Sequence, residues 1–288
     1  MARLIFGCGY LGLRVARRWR AAGDTVYAVT RSSERAVELA REGLSPLVAD
    51  VTRPETLRAL PAVQTALHCV GHDRSAGPSL SEVYVDGLSN VLARMHNETE
   101  RIVYISSTGV YGSFDGDWVN EDSLCHPERP GGRACLEAER VLTASRWGDR
   151  SVVLRLAGLY GPGRIPRQKE LLAGEPIAAP AEGYLNLIHV DDAASVVLAA
   201  AERAPLPRLY VVSDGNPPRR SEYQAEVARL LGAPPPRFID PPADSAAAMR
   251  AAADKRIDNR RMLEELGVVL AHPTYREGLA SALDVTSH

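Results

Sequence analysis

Arg3-Leu4-Ile5-Phe6-Gly7-Cys8-Gly9-Tyr10-Leu11-Gly12 stands at the start of the chain and decides its fold. The first four residues form a short, mostly apolar run that reads as a buried strand. GCGYLG then matches GxGxxG and opens an amphipathic helix over Leu11–Ala22. A second β-branched run, Thr25–Thr30, completes a βαβ unit. Gly7 allows a tight turn, Gly9 lets backbone approach a pyrophosphate, and Gly12 lets the helix pack closely on the strand. Tyr10 and Leu11 sit beside them at a helix N-terminus, where backbone N–H groups attract phosphate. The stretch therefore predicts a dinucleotide cradle.

Which dinucleotide depends on the end of the second strand, where a carboxylate would bind the ribose hydroxyls of NAD and repel the 2′-phosphate of NADP. Here the chain reads Thr30-Arg31-Ser32, a cation flanked by two hydroxyls. Arginine and hydroxyl donors suit a phosphate, so NADP(H) is favoured over NAD(H). Asp50 and Val51, just after a third strand at Ser45–Val48, are expected to flank the adenine.

The same rhythm continues outward. Further strands are expected at Ala66–Val70, Arg101–Ile105, Ser151–Leu156 and Arg208–Val212. Helices are expected at Glu34–Glu42, Ser79–His96, Arg133–Trp147, Asp191–Ala201 and Ser221–Leu231. Alternating strands and helices predict an α/β fold, a Rossmann-type doubly wound parallel sheet. Gly and Pro accumulate after the sixth strand, in Gly161–Pro166, Gly174–Pro180 and Pro234–Pro242, which suggests a smaller C-terminal substrate lobe. The expected division is 1–155 for the nucleotide-binding domain, completed by about 190–212, with 156–189 and 213–288 forming the lobe. Ala243–Ala253 is alanine-rich and reads as a helix or a cover.

Composition narrows the function classes. With 34 Lys and Arg against 36 Asp and Glu, the net charge of -2 supplies no field that would draw nucleic acid or an anionic membrane. The four cysteines, Cys8, Cys69, Cys125 and Cys135, have no metal-ligand spacing, so no metal is expected and the thiols read as reduced. The apolar N-terminus is too short for a signal sequence, and no apolar run reaches the roughly 20 residues of a membrane span. A cytoplasmic protein with a small-molecule substrate is expected.

The motifs also carry a family resemblance that extends over almost the whole length. Besides the glycine loop, it rests on RIVYISSTGVYG at Arg101–Gly112, RLAGLYGPG at Arg155–Gly163, NLIHVDD at Asn186–Asp192 and DNRRMLEELG at Asp258–Gly267. The chain resembles an extended short-chain dehydrogenase/reductase of the NAD-dependent epimerase/dehydratase type, and within it the atypical nucleoside-diphosphate-sugar epimerase-like subgroup. The resemblance implies that Ser107 is the catalytic serine, with Thr108 as its neighbour and substitute. It implies backbone contacts to cofactor from Cys69, Val70 and Gly71 and from Leu156, Ala157 and Gly158. It also implies a substrate side near His72, Tyr160, Arg164 and Asn186, where Arg155 and Arg167 are further candidates for an anionic nucleotide sugar. The helices Ser79–His96 and Arg133–Trp147 correspond to a dimer interface in many members, which leaves a homodimer open.

One departure bears on the chemistry. Members of the standard kind carry YxxxK on the helix after the serine; GRACLEAERVL at Gly132–Leu142 aligns with that helix and puts Gly131 at the tyrosine and Cys135 at the lysine. Glycine cannot transfer a proton, and cysteine has neither the length nor the charge of lysine. Three readings follow. The chain is an oxidoreductase or epimerase/dehydratase with a relocated acid/base, for which Tyr111, Tyr160, His72, His126 and His189 are candidates. Alternatively, it is a non-catalytic NADP(H)-binding sensor or scaffold. In the third, substrate or water supplies the proton while Ser107 and Thr108 orient it.

Overall fold

The computed structural model describes residues 1–284 apart from 74, 76 and 244. Seven strands form one fully parallel sheet: β1 (Ala2–Phe6), β2 (Thr25–Thr30), β3 (Ser45–Val48), β4 (Thr65–His68), β5 (Arg101–Ser107), β6 (Ser151–Leu156) and β7 (Arg208–Val212). Their order is 3-2-1-4-5-6-7. The chain runs outward from β1 to β3 and returns to pair β4 with the other side of β1, with Ile5 beside Ala28 and Leu67. That reversal at β1 opens a crevice at the carboxyl ends of the strands, where ligands bind in such sheets.

The period-two alternation of side chains divides the core into two layers. Ile5, Val103 and Leu154 face α1 (Gly12–Ala21) and α5 (Val190–Arg203), whose Val15, Trp19, Val196 and Val197 complete one layer. Leu4, Phe6, Ile102 and Tyr104 face α3 (Gly87–Arg94) and α4 (Pro130–Ala144), meeting Leu88, Val91, Leu142 and Trp147. Helices on both faces explain why the strands are apolar in continuous runs rather than alternately. The expected Ser79–His96 helix is broader at its start: Glu82–Asp86 forms a π-helical turn that leads into α3. Another helix, α2 (Ser33–Arg41), buries Leu39 in the first layer.

A third cluster, with Tyr160, Ile165, Leu187, Tyr223 and Leu279, gathers α6 (Arg220–Leu231) and α8 (Tyr275–Asp284) into a smaller lobe. One of the helices between them, α7 (Arg260–Leu266), lies inside the sequence range expected for this lobe but packs elsewhere. Its Met262 and Leu266 are buried in the layer of α1 and α5, beside Tyr210. The alanine-rich stretch holds a short helix, Ala246–Ala251. Among the described residues, no helix is long and apolar enough to cross a membrane.

Candidate active site and dinucleotide cleft

A cleft of about 740 Å³ runs along the carboxyl edge of the sheet. Its geometry begins with the glycine loop. Gly7 has φ +90°, and a Cβ there would lie 2.5 Å from the carbonyl oxygen of Cys69. At Gly12 a Cβ would come within 2.4 Å of the Gly7 carbonyl oxygen. Both positions admit glycine alone, for turn and packing respectively. Gly9 differs: it lines the cleft, and a Cβ there would meet nothing within 4 Å. A backbone open to the cleft in this way is what a close-lying pyrophosphate would require. Cys69 ties β4 to the loop, its thiol donating to the Gly7 carbonyl at 3.1 Å. Tyr10 reaches across to the Gly161–Pro166 segment through a 3.2 Å hydrogen bond to the Pro162 carbonyl, with the guanidiniums of Arg14 and Arg164 over its ring.

At the other end of the loop, Thr30, Arg31 and Val51 line the cleft together with Arg35. Arg31 reaches Asp73 at 3.2 Å, an ion pair with both partners half exposed. Arg35 comes from the first turn of α2, and a guanidinium nitrogen donates to the Cys8 carbonyl at 3.4 Å. Ser32 and Asp50 take local roles outside the cleft lining. Ser32 caps α2, accepting from the Arg35 N–H at 3.1 Å, and donates to Glu34. The Asp50 carboxylate accepts from the Thr52 N–H and hydroxyl, closing a turn.

Cys69, Val70, Gly71, Leu156, Ala157 and Gly158 also line the cleft, with His72 and Arg164. Ser107, the last residue of β5, also faces the cleft. Its oxygen accepts from the Gly109 N–H at 3.1 Å, which leaves the hydroxyl proton available to another acceptor. A second recess of about 230 Å³ adjoins the cleft at Ser107 and contains Thr108 and Asn186. On the helix side, Cys135 lines the cleft and Gly131 has nothing within 4 Å of its Cβ direction. Burial pushes the Cys135 thiol up to about 11, so it is protonated at neutral pH. Tyr84 and Tyr104 also line the cleft. Sequence reasoning missed both, and Arg35. The π-helical turn brings Tyr84 inward, where its hydroxyl accepts from the His72 N–H at 3.2 Å; no local signal in the sequence announces that turn.

The remaining candidates are structural in position. Tyr111 lines neither cavity; it is fully buried, and Arg155 donates to its hydroxyl at 2.7 Å. Arg155 is itself buried against Glu139. Tyr160 is fully buried under α8, where Gly278 makes room for its ring. Arg167 pairs with Glu170 at 2.6 Å, and His126 is exposed. At the start of α5 the cap is His189, whose Nδ1 accepts from the Asp191 N–H at 3.3 Å. The Asp192 carboxylate accepts from the Ala271 and His272 amides. His189, Asp192 and His272 bring donor atoms within 4.8 Å of one another, but both carboxylate oxygens of Asp192 are committed to those amides.

Comparison with known proteins agrees with this geometry. Residues 4–213 match the model of the NAD dependent epimerase/dehydratase family. Protein YeeZ of Escherichia coli is 29% identical over 279 residues, covering 93% of this chain and 95% of the relative. A 3-diazoavenalumate denitrifying reductase from Streptomyces sp is 28% identical, covering 94% of this chain and 96% of its own. A solved structure of a functionally unknown conserved protein from Silicibacter pomeroyi superimposes with a TM-score of 0.81 at 30% identity, covering 99% of this chain and 98% of that one. By its glycine loop, its sheet order and these matches, the chain belongs to the NAD dependent epimerase/dehydratase family.

Proposed function

We propose that this protein is an NADP(H)-dependent oxidoreductase of that family, acting on a small carbonyl or alcohol compound whose oxygen is held by Ser107. The observation that carries the reading is the continuity of one cleft, which joins the glycine loop, Arg31, Arg35 and Ser107. Arg31 and Arg35 supply two guanidiniums at the ribose end, suited to the extra phosphate of NADP(H). The bound nicotinamide would supply or accept a hydride. Ser107 would donate a hydrogen bond to the substrate oxygen through its hydroxyl proton, which the bond accepted from the Gly109 N–H leaves available. Similarity to the Streptomyces reductase along 94% of the chain supports the reductase direction.

Gly131 and Cys135 favour a second reading, a cofactor-binding sensor or scaffold without turnover. A protonated Cys135 thiol neither anchors a ribose as lysine does nor carries a positive charge. A spectrophotometric screen of aldehydes and nucleotide sugars at saturating NADPH separates the two. Turnover that falls at least about ten-fold in kcat/KM in Ser107→Ala supports the enzyme. Tight NADPH binding with no consumption by any substrate supports the sensor.

A further inference from the structure

The recess beyond Ser107 shares Ser107, Leu156, Ala157 and Gly158 with the dinucleotide cleft, so a molecule reaching the serine from that side would extend into it. Its charge is one-sided. Arg129, Arg220 and Lys255 line it, and no Asp or Glu does so among the described residues. Lys255 is 5% exposed, and its ammonium donates to the Gly112 carbonyl at 2.6 Å. An ammonium has three donors. Arg129 is half-buried at the start of α4, its guanidinium lying over Gly109. Arg220 donates to the Glu182 carbonyl at 2.7 Å and adds positive potential from the lobe. Glu128 and Asp254 are not among the lining residues, although both act on Lys255 and Asp254 also acts on Arg220; a carboxylate oxygen of Asp254 accepts from the Tyr184 N–H at 2.7 Å.

Burying like charges together disfavours their charged forms. The pKa of Lys255 is pushed down to about 8, first by burial and then by Arg129, against the opposing pull of Glu128 and Asp254. Such an ammonium is still charged at neutral pH and gains most from an acceptor of opposite sign. The recess volume of about 230 Å³ falls below the roughly 300–1,000 Å³ of a pocket for a whole drug-sized ligand. It suits a head group.

We propose that this recess is the subsite for a small anionic group of the substrate, a carboxylate or a phosphate, gripped by Lys255 and Arg129 while the reacting oxygen of the same molecule meets Ser107. This rests on the placement of substrate at Ser107 proposed above, and narrows the substrate class to small anionic carbonyl or alcohol compounds. The subsite adds recognition, not hydride chemistry.

The test is calorimetric titration of the NADPH-loaded protein with sodium benzoate, inorganic phosphate and the neutral isostere benzamide at fixed ionic strength. Binding of either anion about ten-fold more tightly than benzamide supports the subsite, and the preferred anion tells carboxylate from phosphate. Lys255→Met removes that preference while NADPH affinity stays within about two-fold, and Arg129→Gln weakens the anion about five-fold. Binding in the wild type also weakens as pH rises through about 8, where Lys255 loses its proton. If neither anion outbinds benzamide, or if both variants keep the preference, the proposal is overturned. Should Lys255→Met fail to fold, Arg129→Gln and the pH profile decide. If NADPH itself does not bind, the cofactor reading fails separately, and the same anion titrations on the unliganded protein still decide the recess.

Discussion

Arg155 on β6 and Glu139 on α4 form a buried ion pair at 2.7 Å, each side chain 7% exposed. The nitrogens Nε and Nη2 of Arg155 both engage the carboxylate, and its Nη1 donates to the Tyr111 hydroxyl at 2.7 Å. Ser106, next to Ser107, donates to the same carboxylate. An arginine that resembled a ligand for an anionic substrate is thus a strut that fixes α4 to the sheet behind Ser107. Removing one partner leaves a buried charge uncompensated, so Glu139→Gln lowers unfolding free energy by about 3–5 kcal/mol. The double change Glu139→Met, Arg155→Met recovers most of the loss. Urea denaturation of the two variants checks both statements; a Glu139→Gln variant within ~1 kcal/mol of wild type would show the pair to be dispensable.

The glycine loop separates folding from binding. Gly9→Val adds a side chain only where there is open space, so the melting temperature stays close to wild type while NADPH affinity falls roughly a hundred-fold. Gly7→Ala forces a side chain into the Cys69 carbonyl at φ +90° and unfolds at lower temperature. Scanning calorimetry paired with NADPH titration reads the two effects independently. Equal losses of stability in both variants would contradict the assignment.

Asp214 predicts a pH dependence of stability. One carboxylate oxygen accepts from the Asn216 N–H at 2.9 Å, while the other is buried without a partner among the described residues. Burial pushes its pKa up to about 7, with Asp192 adding repulsion against the Asn216 hydrogen bond. Between the ordinary value of 3.8 and about 7, the unfolded chain binds fewer protons at this group than the folded one. Its contribution to stability therefore falls as pH rises through that window, by at most ~1.4 kcal/mol per unit, and is flat above it. Asp214→Asn removes the slope. Relative to wild type, the variant gains more stability at pH 8 than at pH 5, as urea midpoints would record; a constant difference at the two pH values would refute the shift.

Placing a tyrosine at Gly131 and a lysine at Cys135 tests the proton path. A Cβ at Gly131 would meet nothing within 4 Å, so the backbone there accepts a side chain such as that of Gly131→Tyr. Combined with Cys135→Lys, it raises turnover of an accepted carbonyl substrate about ten-fold, a modest share of what a positioned acid contributes. Stopped-flow NADPH oxidation measures this. A folded double variant with unchanged turnover would mean that the native proton donor already saturates the step.

Much of the site was legible because the glycine loop and the strand ends are local features. Gly7, Gly9, Gly12, Arg31 and Ser107 were found from spacing, periodicity and family resemblance, and all five line the cleft. The Rossmann sheet followed from the same rhythm, with the strands at Ser45–Val48, Ser151–Leu156 and Arg208–Val212 falling where apolar runs put them. What sequence did not reveal depends on long-range packing. Tyr84 enters the cleft through a π-helical turn, and Lys255 reaches the Gly112 carbonyl across 143 residues. Tyr111 and Tyr160 carry polar tips in suggestive motifs, yet burial turns one into the partner of Arg155 and sets the other beneath α8. Ser32 was assigned to phosphate by residue type, whereas its capping bond to the Arg35 N–H claims the oxygen locally.

The central claim is that this cleft binds NADP(H) through Arg31 and Arg35. Calorimetric titration of the purified protein with NADPH and with NADH tests it most directly. NADPH is expected to bind at least about ten-fold more tightly, with the double variant Arg31→Ala, Arg35→Ala bringing the two affinities together. Equal affinity for NADPH and NADH in the wild type, or an NADPH preference that survives loss of both arginines, would contradict the account.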